Sequence, residues 1–259
     1  MDLGRLFLMI LGIKAARYFV IAGLAYLYFW KWRKKHFENQ RIQKIDFKNE
    51  DILREITYSS LSIIIFSLIL LLPFNKEMIE YTSLYKNPAE HGYLWLIISL
   101  PVMMILHDAY FYWVHRGVHH PKIFKHVHRV HHLSRNPSPF AAFAFHPVEA
   151  IVEFAWVLPL MFFMPIQKYV FLAYSLTSIS LNVIGHLGIE VYPDSWKKYP
   201  LLRTINRSTY HNDHHRLVNG NYGLYFTWWD SWMGTLRQET QDDLKIFKKV
   251  SAESTALAV

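Results

Sequence analysis

Five apolar stretches divide the chain. Residues 3–30 are apolar almost throughout and end in YFWKWRKK. Residues 57–74 read TYSSLSIIIFSLILLLPF, and a third stretch starts at Tyr93, YLWLIISLPVMMILHDAYFYWVHR. The fourth and fifth, about 148–165 and 167–187, meet at Pro165. Each approaches or exceeds the roughly 17–25 residues a helix needs to cross a hydrocarbon core of about 30 Å. The pattern predicts an all-α integral membrane bundle of about four transmembrane helices, with the last two stretches forming a hairpin that enters and leaves on one side. The first stretch is longer than the apolar core of a secretory signal and no small-residue cleavage site follows it, so it reads as a retained helix. Arg5, Lys14 and Arg17 interrupt it and are expected to face the bundle or an interface.

The polar intervals orient the bundle. Lys31, Arg33, Lys34, Lys35, Arg41, Lys44, Lys48 and Arg54 crowd residues 31–56, whereas 75–92 holds only Lys76 and Lys86. Positive charge collects on the cytoplasmic side. Residues 31–56 are therefore expected inside, 75–92 outside, and 114–147 and 188–259 inside. From Tyr93 to Arg116 the third helix would be roughly 36 Å long, so its last turns should protrude into the cytoplasm; Pro101 is a candidate kink. Composition agrees: 52% of the 259 residues are hydrophobic and 17% aromatic, yet the formal charge is +8. There is no cysteine, so disulfides and thiolate metal sites are excluded, and a tightly held metal must use His, Asp or Glu.

Histidine supplies the candidate chemistry. Of 15 histidines, all but His36 and His91 lie between His107 and His215. Three groups stand out: HRGVH (His115, His119), HRVHH (His128, His131, His132) and HNDHH (His211, His214, His215). Positions i, i+3 and i+4 share a helical face, so each group projects its imidazoles together. Eight converging imidazoles exceed the needs of one tetrahedral ion and suit two metal ions with room for a further ligand. His186, at the cytoplasmic end of SISLNVIGH, is a ninth candidate, with Asn182 one turn before it. His126 and His120 point away from their neighbours and read as non-ligands, and His146 precedes a proline on a loop. Asp108, seven residues before His115, is a candidate to accept a ligand imidazole N–H; the alternative is a buried charge paired with His107 or Arg116. Tyr110, Phe111, Tyr112 and Trp113 are placed to line a substrate entry or to belt the interface.

Together DAYFYWVHRGVH, FKHVHRVHHLSRNPSPF and YHNDHHRLVNGNYGLYFTWWDSWMGT resemble the histidine boxes of the sterol desaturase/fatty acid hydroxylase superfamily of membrane oxygenases. The resemblance covers about 93–236. It implies a catalytic domain there, after N-terminal membrane helices and a basic loop (1–92) and before a cytoplasmic tail (237–259). It also implies a histidine-rich cytoplasmic cap with a di-iron centre, for which zinc can substitute on isolation. The ligands it implies are His115, His119, His128, His131, His132, His186, His211, His214 and His215. The implied reaction is hydroxylation or desaturation of a fatty acyl, sterol or related lipid C–H bond with O₂ and two electrons. No haem or flavin module is recognisable, so an external donor of cytochrome b5 or ferredoxin type is expected, and no nucleic-acid partner. NYGLYFTWWD is placed either to lid the site or to pack against the cap. The rival classes are a membrane metal transporter or metal-binding protein, which would place ligands within several helices, and a metalloprotease, which lacks its H-E-x-x-H.

Overall fold

Unbroken apolar length produces three long helices. The computed structural model describes residues 2–237; the expected tail beyond them lies outside the described residues. Helix α1 (Leu3–Ala25) continues through a π-helical turn to Trp32, α2 spans Asn49–Phe74 and α3 spans Gly92–Val118. Among the described residues these three are long and apolar enough to cross a bilayer. Helix α3 remains one helix through Pro101.

The fourth apolar stretch is split into α6 (Pro147–Ala155) and α7 (Val157–Phe163). Pro159 has no N–H to give the carbonyl of Ala155 and its ring crowds that carbonyl, so the helix breaks there. The fifth stretch is α8 (Lys168–Gly185). These segments form the expected hairpin. At its tip β2 (Ile166–Gln167) pairs in parallel with β1 (Leu84–Tyr85), and the Trp95 indole N–H donates to Pro165 O at 2.8 Å. The tip thus lies beside the start of α3, and the hairpin returns to the end that carries His115. It fills the depth of α3 without moving the chain to the other side.

Helix α1 runs the length of the bundle. Leu6 and Ile10 pack with Leu70, Val157 and Met161 near the hairpin tip, and Trp30 packs with Leu187 and Ile189 at the histidine end. Small residues on α2 allow close approach where apolar lipid gives no hydrophobic drive between helices. Ser59, Ser62 and Ser67 are fully buried, and the Ser59 hydroxyl donates to Phe140 O at 2.9 Å. The α1 charges are accommodated as anticipated: Arg5 pairs with Asp2 at the exposed end, Lys14 lies 4.2 Å from the Phe154 ring centre, and Arg17 bonds Ser175 inside the bundle. The outward positions are apolar, among them Leu8, Leu68, Ile97, Phe163 and Leu172.

Beyond the long helices, α4 (Pro121–Val127), α5 (Arg129–His132), α9 (Ser208–Leu217) and α10 (Trp228–Trp232) build the cap. The basic 31–56 interval lies at this same end: Gln43 donates to Asn212 Oδ1 at 2.8 Å and Arg54 to Ser134 at 3.2 Å.

Candidate metal centre

All nine candidate histidines converge, in two groups. His115, His119, His128, His132 and His214 form one, and His131, His186, His211 and His215 the other. The division follows helical spacing more finely than a single shared face. The i, i+4 pairs His115/His119 and His128/His132 serve the first group, and His211/His215 the second. The odd member of each H-x-x-H-H motif crosses over: His131 joins the second group and His214 the first. The chain breaks at His128, between α4 and α5, which turns the two sides of this motif toward different centres.

Neighbouring Nε2 atoms stand close. His115 lies 3.2 Å from His128, His119 3.2 Å from both His132 and His214, and His211 2.9 Å from His186 and 3.2 Å from His215. Five Nδ1 atoms face acceptors, four backbone carbonyls and the Glu149 carboxylate; the longest contact is His132 to His215 O at 3.5 Å. His115 donates to Tyr222 O at 2.9 Å, His214 to Gly220 O at 2.7 Å, His186 to Asn182 O at 2.8 Å and His128 to Glu149 Oε1 at 2.5 Å. Each of these rings therefore carries its proton on Nδ1 and turns a bare lone pair inward. Lone pairs facing one another repel unless a cation lies between them. Two nitrogens each about 2.1 Å from one ion, at about 90–109°, are about 3.0–3.4 Å apart. The observed spacings match, so the residues fit a pair of imidazole-liking ions. Burial, reinforced by neighbouring imidazoles, holds His128, His131, His132, His211 and His215 well below the usual imidazole pKa, and burial brings His214 down to about 4. The rings are neutral at pH 7 and able to coordinate a metal.

Asp108 departs from the direct contact considered for it. It does not meet His115, nor does it pair with His107 or Arg116. Its Oδ1 accepts the backbone N–H groups of Leu224, Tyr225 and Phe226 at 3.2, 2.7 and 3.2 Å. The reason is steric: the 222–226 loop lies over this face of α3 and supplies Tyr222 O to His115, so the carboxylate holds the loop that holds the ligand. At the loop's other end Asp230 accepts Tyr222 and Gly223 N–H at 2.9 and 2.8 Å. Gly220 adopts φ 79°, and a β-carbon there would stand 2.7 Å from Thr235 O; no other residue fits. The NYGLYFTWWD segment is thus a scaffold for ligands, and the Tyr222 ring also walls His119 at 5.0 Å.

The carboxylate that orients a candidate ligand is Glu149, buried against His128 and not singled out from the sequence. A signal existed: Glu149 and Glu153 sit one turn apart within an apolar stretch, where an ionisable group marks function. Asn182 supports His186 through its carbonyl rather than its side chain, which donates to Ala142 O. His126 is exposed, His120 and His146 cap helices, and none of the three joins a cluster.

Below the centre, a cavity opens among α1, α2, α3 and the hairpin. Phe111, Phe145, Trp156, Phe171, Ile179 and Leu224 contribute its apolar wall. The Phe111 ring lies 4.9 Å from His115 and the Phe145 ring 5.1 Å from His131, so the cavity ends at both clusters.

Residues 100–235 match the family model for fatty acid hydroxylase. The chain is 35% identical over 231 residues to the Delta(7)-sterol 5(6)-desaturase ERG3B of Gibberella zeae, covering 89% of this chain and 68% of that protein. The chain belongs to the fatty acid hydroxylase family. It is also 30% identical to the lathosterol oxidase of Rattus norvegicus over 85% of this chain and 70% of that one, and 31% identical to the Delta(7)-sterol 5(6)-desaturase erg3C of Aspergillus fumigatus over 71% and 63%. No solved structure matches. Membership makes the protein a membrane-bound, O₂-dependent oxidoreductase that desaturates or hydroxylates a lipid. The transporter reading loses its ground as well, because the ligands gather at and beyond helix ends instead of lining a path through the bundle.

Proposed function

We propose that the protein is a di-iron sterol desaturase, with its nine histidines as the ligands and its active site on the cytoplasmic side. The observation that carries this is the pair of all-histidine clusters closing the end of an apolar cavity inside the membrane bundle. The desaturases and oxidases among the relatives support a sterol as substrate and desaturation as outcome. Two bound iron ions would supply the chemistry that no side chain has, reductive activation of O₂ and removal of hydrogen from an unactivated C–H bond.

The chain's own part is position and environment. Tyr222 O, Gly220 O, Asn182 O and Glu149 fix ring orientation and proton position in four ligands, so that the lone pairs of these four are already directed inward. Phe111 and Phe145 bring an apolar substrate against the clusters without crossing water. Asp108 and Asp230 keep the covering loop in place. The excess of Lys and Arg in 31–56, at the histidine end, supports the cytoplasmic side. Electrons come from a separate donor of cytochrome b5 or ferredoxin type.

The test is purified protein with iron quantified per chain, then incubated with a Δ7-sterol, O₂ and a reducing system. A product two mass units lighter, dependent on both O₂ and reductant, is expected. A sterol left untouched while an acyl lipid gains sixteen mass units would refute the sterol desaturase reading.

A further inference from the structure

One polar group in the cavity is not used by the centre. His107 lies on α3 eight residues before His115, roughly 12 Å along the helix. It lines the cavity, is 8% exposed and joins neither metal cluster. Its ring stacks on Trp156 with centroids 4.2 Å apart. Its Nδ1 is held twice over, by Tyr174 OH at 2.7 Å and Tyr225 OH at 2.8 Å, and Tyr225 OH in turn donates to Ser178 at 2.6 Å. Nε2 has no hydrogen-bond partner among the described residues. A polar atom left so on the cavity wall is free to meet a group that enters the cavity.

Most other polar side chains around the cavity are engaged, although Glu153 Oε2 and Arg17 Nε have no hydrogen-bond partner among the described residues. Arg17 bonds Ser175, the Asn182 amide donates to Ala142 O at 2.8 Å, and Lys14 lies on the Phe154 ring. Ser178 already receives Tyr225. His107 is an open hydrogen-bonding site on the wall shared with Phe111, the residue that touches His115.

Resting on the sterol reading above, we propose that His107 Nε2 binds the hydroxyl of the substrate and thereby selects which C–H bond meets the metal centre. A hydroxyl suits either tautomer. If Nδ1 accepts from a tyrosine, Nε2 carries the proton and donates to the hydroxyl oxygen; if Nδ1 donates, Nε2 accepts from the hydroxyl. The two tyrosines and Trp156 hold the ring in place, which fixes the direction of the bond. The separation also fits. A hydroxyl anchored two helical turns from His115 brings a carbon only a few bonds away toward the clusters, as C5 is two bonds from the hydroxyl-bearing C3 of a sterol. His107 is a positioning residue and does not touch the reacting atoms.

The experiment measures equilibrium binding of a Δ7-sterol and of the same hydrocarbon lacking its hydroxyl to the detergent-solubilised, metal-loaded protein, with metal content recorded for each variant. The wild type should bind the sterol on the order of tenfold more tightly than the deoxy compound. His107→Phe keeps a ring to stack on Trp156 and should bind the two equally, with its metal content unchanged; His107→Gln, which can still hydrogen-bond, should recover part of the preference. A wild type that binds both compounds equally overturns the proposal without recourse to any variant. A preference that survives in His107→Phe also overturns it and moves hydroxyl recognition elsewhere in the cavity, leaving the sterol reading intact. Binding of neither compound overturns both together.

Discussion

Glu149 offers the most direct test of how the centre is held. Its Oε1 accepts the His128 Nδ1 proton at 2.5 Å, with glutamate and histidine 0% and 1% exposed. Burial and the nearby Glu153 push the Glu149 carboxyl well above its ordinary pKa, and cations held by the histidines would favour its ionised form. In that form the hydrogen bond contributes about 1.5–3 kcal/mol, and charge assistance accounts for roughly half of that. Glu149→Gln keeps the volume and an accepting oxygen but loses the charge, so it should weaken retention of metal by about 4- to 12-fold. Glu149→Ala leaves the Nδ1–H buried without an acceptor and the ring free to turn, and should weaken it by about 10- to 100-fold, the usual range for a lost orienting partner. Glu153→Gln changes a carboxylate one turn away that touches no ligand and should leave metal retention unchanged. The assay is loss of iron to a chelator over time in detergent, with metal per chain measured at each point. If Glu149→Ala holds metal like the wild type, or if Glu153→Gln loses it as fast as Glu149→Gln, the reasoning fails.

Replacing His131 by Ala should cost the four-histidine group its metal and halve the metal per chain, whereas exposed His126→Ala should keep both metal and turnover; equal loss in the two would contradict the division into two groups. Asp108→Asn should still insert but lose activity about 10- to 100-fold and unfold more readily in detergent, because the loop that carries Tyr222 O loses a charged anchor; wild-type activity and unfolding would remove that role. The metal-free protein should lose stability as pH falls from about 6.5 toward 4: His214 has a folded pKa of about 4 against about 6.5 unfolded, so the unfolded chain binds more protons across that window, and an unfolding midpoint as high at pH 5 as at pH 7.5 would contradict the buried neutral ring. A reporter inserted near Lys86 should read as external and one in residues 31–48 as cytoplasmic; both on one side would break the topology.

Much of the site was legible because spacing along a helix is a geometric statement. His115 and His119, His128 and His132, and His211 and His215 are one turn apart, and any helical arrangement brings each pair together. Apolar length likewise determined α1, α2 and α3, and the charge excess of 31–56 determined which end it shares with the histidines. What the one-dimensional pattern could not carry is anything that depends on a second element arriving. His131 and its neighbour His132 join different clusters because the end of α3 brings His115 and His119 to one and α8 brings His186 to the other, while α9 supplies both. Asp108 looks aligned with His115 on a helical wheel, yet a loop more than a hundred residues later occupies the space between them and takes the carboxylate for itself. Glu149 reaches His128 because the first turn of α6 packs against α4, next to the break in the chain at His128. Which histidines are candidate ligands was legible in the sequence; which of them share a cluster, and which acceptor orients each, was decided by packing, since hydrogen bonds and coordination act over a few ångströms between residues the chain brings together only when folded.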